Sequence, residues 1–487
     1  MSHETPPEIP GKRRRRTRMW ISFGAWLLLL IVIWRAVLWV AQLASVPWPE
    51  PVKDVVLNPP GPRPEVDDIT PDNAFFYILR MTNRVDVKSM EKVKEEFSRL
   101  VCLGLSTNRF EELPGWVSSH SNTFDLMRQA AKVEEARSPS NYDYEHVYLY
   151  VGPLSSAGKT VPFYVLQHAS TQNWEAVTAR FQASLKTADH LTRGTAPATV
   201  LTAYSMTSLS LMSMRRILLE QDVPAEVLNQ WAVRLDRLDA EVEPLTTAFQ
   251  VEYVAMTNFV EDVYDDATIF AEFGQAQTAA KPGVFDGLFK WWYRFLWALG
   301  DSRRNKTRRH LEAVLSHLIH DASQPWSPTP NPMIEPLLDS NFGTHPQHFF
   351  DDPVGRMLLF AYFSATTYTD VYFRQHRTNL GGTRLMIAIR RFQADHENEP
   401  PDRLDQLIPD YIESLPPDPF STNAADFVYA REAGSWRLYS LGPDAEDNQG
   451  RTNAMYTIKE SEGKDIVFGP DELEMMKQDY LEDAEKN

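Results

Sequence analysis

Residues 384–420 read RLMIAIRRFQADHENEPPDRLDQLIPDYIESLPPDPF, and residues 427–444 read FVYAREAGSWRLYSLGPD. Leu385, Ala388, Ile389 and Phe392 keep the i, i+3, i+4, i+7 spacing of an apolar helix face, with Arg384, Arg390 and Arg391 mainly off it. Gly381-Gly382 upstream is expected to weaken or kink the run. Pro400-Pro401 ends it by Glu399, because proline lacks the amide that the next turn needs. Leu404, Leu407 and Ile408 predict a short second helix, and Leu415-Pro416-Pro417-Asp418-Pro419-Phe420 a rigid corner. Phe427-Val428-Tyr429 and Trp436-Arg437-Leu438-Tyr439 then predict paired strands turned by Ala433-Gly434-Ser435. Alternation places Phe427 and Tyr429 on one face, for the helix to cover. This helix, corner and hairpin form the plan of residues 352–468.

Upstream, most of the 487-residue chain predicts helices. Asp72 or Asn73 is placed to cap one beginning near Phe75. Residues 87–100, 121–137, 200–221 and 305–321 have helical spacing, and Leu228, Trp231, Leu235 and Leu238 mark one face of a helix that starts at Pro224. Two runs break the pattern. Residues 144–151 and 161–166 are rich in Tyr, Val and Phe and predict a small β-hairpin or sheet. Residues 284–299 hold six Trp and Phe side chains, read as core or as an interaction surface.

The N-terminus predicts a membrane anchor. Lys12, Arg13, Arg14, Arg15, Arg16 and Arg18 precede an apolar stretch over residues 19–41 that has about the length a spanning helix needs. The basic cluster predicts a cytoplasmic N-terminus, and Trp20 and Trp39 lie where an aromatic belt forms. A cleaved signal peptide is the competing reading, but Ala41-Gln42-Leu43-Ala44 fits a cleavage site poorly. Eight prolines between Pro47 and Pro71 predict a semi-rigid stalk over residues 42–70. Residues 1–18 carry +4, so the chain's −17 leaves −21 for the rest, which repels nucleic acid and anionic lipid headgroups. Cys102 is the only cysteine, which rules out an intrachain disulfide and predicts a buried apolar residue.

Chemistry-bearing motifs are few. Gly152-Pro153-Leu154-Ser155-Ser156-Ala157-Gly158-Lys159-Thr160 resembles a phosphate-binding loop, but five residues separate its glycines where that motif has four, and it reads as a hairpin loop. His310, His317 and His320 share a helix face, and His345 and His348 precede Asp351-Asp352, yet no pair has zinc-protease spacing. Gly-x-Ser-x-Gly, Gly-x-Gly-x-x-Gly and His-Glu-x-x-His are absent.

The order of pieces at the C-terminus resembles the C-terminal domain of the type II secretion major pseudopilin. The matching pieces are Arg391-Phe392-Gln393-Ala394-Asp395-His396, Leu404-Asp405-Gln406-Leu407, Leu415-Pro416-Pro417-Asp418-Pro419-Phe420 and Leu438-Tyr439-Ser440-Leu441-Gly442-Pro443-Asp444. The resemblance implies calcium, held by the Leu441 carbonyl and the Asp444 and Asp465 carboxylates, with Glu446, Asp447 and Asn448 as nearby oxygen donors. The insertion Arg451 to Gly463 departs from the family. So does the distance of several hundred residues between module and anchor, and the glutamate expected shortly after Gly24 is missing, so filament assembly is not implied.

The expected fold is mainly α. It has a basic tail (1–18), one transmembrane helix (19–41), a stalk (42–70), a large helical ectodomain with a small β-hairpin or sheet (71–350), a small α+β pseudopilin-like domain (352–470) and an acidic tail (471–487). The expected role is non-catalytic: interaction or scaffolding with unknown envelope proteins, linked to secretion, at a bacterial inner membrane with the ectodomain in the periplasm. The alternative is an envelope hydrolase whose His, Asp and Glu residues meet only in the fold.

Overall fold

A computed structural model describes residues 49–58, 64–82, 89–105, 110–139, 144–265, 304–329, 331–333, 369–423, 425–432, 435–450 and 465–486. The expected membrane span, the aromatic stretch 284–299, His345, His348 and the turn at 433–434 lie outside these residues. Among the described residues no helix is long and apolar enough to cross a membrane. They form twelve α-helices: α1 (Phe75–Thr82), α2 (Met90–Leu103), α3 (Leu113–Ser119), α4 (Ser121–Ala130), α5 (Tyr144–Ser170), α6 (Trp174–Thr192), α7 (Pro197–Glu220), α8 (Ala225–Ala240), α9 (Leu245–Asp265), α10 (Arg304–Ala322), α11 (Thr369–Asp395) and α12 (Pro470–Lys486). Strands β1 (Val428–Glu432), β2 (Ser435–Ser440) and β3 (Ile466–Phe468) make one antiparallel sheet in that order. The fold is therefore mainly helical with a small sheet, as expected.

The expected β-hairpin at 144–166 is a correction: both runs lie in α5, and the phosphate-loop-like segment between them is helical too. Leu154, Ala157, Val161 and Val165 are fully buried at helical spacing. Helix α5 packs on α6 and α7, so it is apolar around much of its circumference and its Tyr- and Val-rich runs imitate strands. Gly158 sits where a Cβ would come within 2.6 Å of the Met206 side chain, so this glycine lets α5 and α7 approach.

Helix α7 is central. It packs on α5, α6 and α11, and two consecutive arginines leave it in different directions. Arg216 donates to the carbonyls of Leu100, Val101 and Cys102 at 2.9–3.2 Å, satisfying the C-terminal end of α2. Arg215 donates to the Glu472 carboxylate of α12 through Nε and Nη2 at 2.7–3.0 Å, and to Thr383 Oγ1 of α11 at 3.1 Å. Asn73 caps α1 through Phe75 N–H at 3.1 Å and also exchanges hydrogen bonds with the backbone of Arg137.

The C-terminal elements share a core with the helices. One apolar cluster runs from Leu211, Met214 and Trp231 into Leu385, Ile389, Leu438 and Phe468. Arg384 of α11 pairs with Asp236 and Asp239 of α8, and Arg377 pairs with Asp239 as well. The glycine pair leaves α11 unbroken, against the expected weakening. A Cβ on Gly382 would lie 2.5–2.6 Å from three carbons of the Phe468 ring, and one on Gly381 would lie 3.1 Å from Phe427, so the glycines let helix and sheet touch. The short second helix is a 3-10 turn, Leu404–Leu407, with Ile408 beyond it. The acidic tail is helix α12. It docks through Met476, with Leu473 and Tyr480, onto Val101, buried Cys102 and Met212.

The stalk needs correcting as well. Where it is described near its start, it lies along the body: Val52 N–H donates to Ser316 Oγ at 2.8 Å and Gln250 Nε2 to Val56 O at 2.9 Å. Val55 and Leu57 pack on the α9–α10 cluster. Apolar Val55 and Leu57 between the prolines were the signal for docking.

Candidate cation-binding loop

Strand β2 ends at Ser440, and residues 441–450 turn back across the end of the sheet. Asp418, from the proline corner, fixes the start of this loop. Its Oδ1 accepts from Ser440 Oγ at 2.7 Å and Phe420 N–H at 3.0 Å, and its Oδ2 accepts from Leu441 N–H at 2.9 Å. Burial pushes the Asp418 carboxyl up, and these three donors oppose it. Gly442 and Gly450 take φ of +70° and +73°, the left-handed region that glycine enters without strain.

Three more carboxylates gather within the loop. Asp447 Oδ1 accepts from Tyr439 Oη at 2.9 Å and Gln449 N–H at 2.8 Å. Asp444 accepts from Glu446 N–H and from Asn448 Nδ2, each at 3.2 Å. Asp465, at the start of β3, accepts from Asn448 N–H at 3.2 Å and Gly450 N–H at 2.6 Å. Asn448 thus links Asp444 to Asp465. Burial, followed by the charges of Asp447 and Asp444, pushes the Asp465 carboxyl up to about 6 against the pull of the two amides.

Of the three residues that the resemblance implied for calcium, Asp444 and Asp465 are linked through Asn448, and Leu441 starts the loop that carries Asp444, its N–H held by Asp418. Their donors are of the hard oxygen type that calcium takes. As placed, the carboxylates are turned to backbone and Asn448 amides. Among the described residues no three Asp, Glu, His or Cys side chains converge as a metal-holding group. The insertion 451–463 lies outside the described residues. Asp418 was missed as a functional position; the Pro-Pro-Asp-Pro-Phe corner was the available signal, since proline-flanked aspartates commonly bond to nearby amides.

The histidines do not meet. His310 is buried, His317 bonds Glu50 O at 3.0 Å and His320 is exposed. Ser156-Ala157-Gly158-Lys159 has Ser-x-x-Lys spacing, but it lies inside α5 with Ser156 buried. His376 of α11 stacks on Tyr204 of α7 with centroids 4.4 Å apart. Burial first, and Arg377 second, depress the His376 imidazole to about 3.

His376 gives a pH prediction. The unfolded imidazole takes a proton near 6.5 and the folded one near 3, so stability present above about 6.5 is lost as pH falls through that window. His190 acts in the same direction. Glu252 is raised to about 7 by burial and acts oppositely, losing stability as pH rises from about 4.5. His376→Phe keeps a ring on Tyr204 and removes one titration. Its melting temperature is expected to fall less steeply than the parent's between pH 6.5 and 4; parallel curves in a calorimetric pH series would contradict this.

No protein-family model, no curated protein and no solved structure matches this chain.

Proposed function

We propose that the chain is a membrane-anchored periplasmic protein with a non-catalytic interaction or scaffolding role linked to secretion. One observation carries the reading: a long helix lies across a three-stranded antiparallel sheet, and an acidic loop follows the hairpin, in the order the pseudopilin resemblance implies. The basic-then-apolar N-terminal sequence supports the anchor. The strongly acidic remainder supports protein rather than nucleic-acid partners. An alkaline phosphatase reporter fused after Asn487 is expected to be active, and the fusion to stay with membranes through a carbonate wash. An inactive reporter, or a fusion found freely soluble, removes the anchored periplasmic reading. The interaction role is tested by cross-linking in intact cells, where failure to trap any envelope protein counts against it.

The same reading assigns calcium to the Leu441, Asp444 and Asp465 loop. Positive charge there would offset the burial, and the lesser repulsion by Asp447 and Asp444, that raise the Asp465 carboxyl. The test uses the full chain in detergent, because the C-terminal elements share their core with the helices. Saturating calcium is expected to raise the melting temperature by about 5 °C over chelator, from the linkage of binding to folding. Asp465→Asn is expected to abolish the difference. Identical melts with calcium and chelator, together with no heat of binding, end the assignment.

A further inference from the structure

The start of the Pro-rich segment is pinned to the body almost as soon as it leaves the apolar stretch. Glu50 O accepts from His317 Nε2 at 3.0 Å, Val52 N–H bonds Ser316 Oγ and Gln250 bonds Val56 O. These partners lie near the end of the α9–α10 pair where α9 begins and α10 finishes. The same end carries Asn331, which donates to Asp321 at 2.9 Å, and Trp326, whose Nε1 donates to Pro443 O at 3.1 Å. The acidic loop therefore begins beside it.

Chain length then sets a distance. Nine residues separate Ala41 from Glu50, and fully extended they reach about 30 Å. A free polyproline stalk from Ala41 to Pro71 would extend about 90 Å. The two arrangements differ by about 60 Å in how far the body can stand from the bilayer.

We infer that the folded body is held against the bilayer surface, with the end of the α9–α10 pair that receives Glu50 nearest the lipid headgroups. This rests on the anchored reading above. The occupant of this face is the bilayer itself, because the tether is too short to admit a large protein layer between them.

The test uses the full chain with Cys102→Ser and His320→Cys, labelled at position 320 with a fluorescent donor. It is reconstituted in phosphatidylcholine vesicles carrying a headgroup acceptor whose transfer range falls between the two distances. A second protein carries a proline-rich insertion of about twenty residues after Ser45, adding about 60 Å of tether. Strong transfer in the parent and its loss in the insertion protein support the inference. Weak transfer in both, with the protein resistant to carbonate extraction, overturns the inference and leaves the anchor intact. Strong transfer in both also overturns it, since the tether would not be what holds the body down. Release of the parent by carbonate overturns the anchored reading and the inference together.

Discussion

Arg215→Ala is expected to lower the unfolding free energy by about 3–5 kcal/mol, the cost of leaving one member of a buried ion pair behind. The Arg215 side chain is 5% exposed and that of Glu472 11%. Three N–H···O bonds hold the pair, Nε donating to both carboxylate oxygens and Nη2 to Oε1, and Nη1 donates to Thr383 Oγ1. The guanidinium thereby ties α7, α11 and α12 together. Glu472→Ala is expected to cost as much, because it strands the guanidinium. Arg215→Met with Glu472→Met removes both charges at similar volume and is expected to recover most of the loss. Urea titration of the parent and the three variants in one detergent measures these differences. A single-variant loss below about 1 kcal/mol would show that the pair is solvated and screened like a surface bridge.

Gly382→Leu is expected to cost about 3 kcal/mol, at the upper end of ordinary overpacking. Phe468 is 1% exposed and sits edge-on to Phe427 at 5.9 Å, so its ring has nowhere to move when a side chain appears on α11. Gly382→Ala is expected to cost less, and pairing it with Phe468→Leu is expected to restore part of the loss by making room. Equal stability of Gly382→Ala and the parent would mean that helix and sheet are not in contact there.

Helix α11 and the hairpin were legible because their signals are local. Period in residues 385–392, the proline pairs and the strand alternation each sit within a few residues of what they specify. Helix α8 was legible for the same reason, and Leu228, Trp231, Leu235 and Leu238 are buried as a stripe should be. Helix α5 was not, because a helix enclosed by neighbours loses its polar face and keeps only its β-branched and aromatic composition. The glycine pair in α11 was misread for a related reason. Its cost to an isolated helix is visible in sequence, whereas the Phe468 ring that requires it lies 86 residues further on. In the acidic loop, Asp444 and Asp465 came from family resemblance. The anchoring role of Asp418 depends on Ser440 and Leu441, which no local pattern connects to it.

The Arg215–Glu472 bond spans 257 residues. A chain emerging N-terminus first therefore presents α7 with an unmatched guanidinium until the 257 residues that separate it from Glu472 have followed. Helices α1 to α10 come out before α11, the sheet and α12, so the core they share is completed only when those elements follow. A ribosome that stops before α12, or a protease that removes it, leaves Arg215 without its carboxylate, and quality control is expected to clear such a product as incomplete.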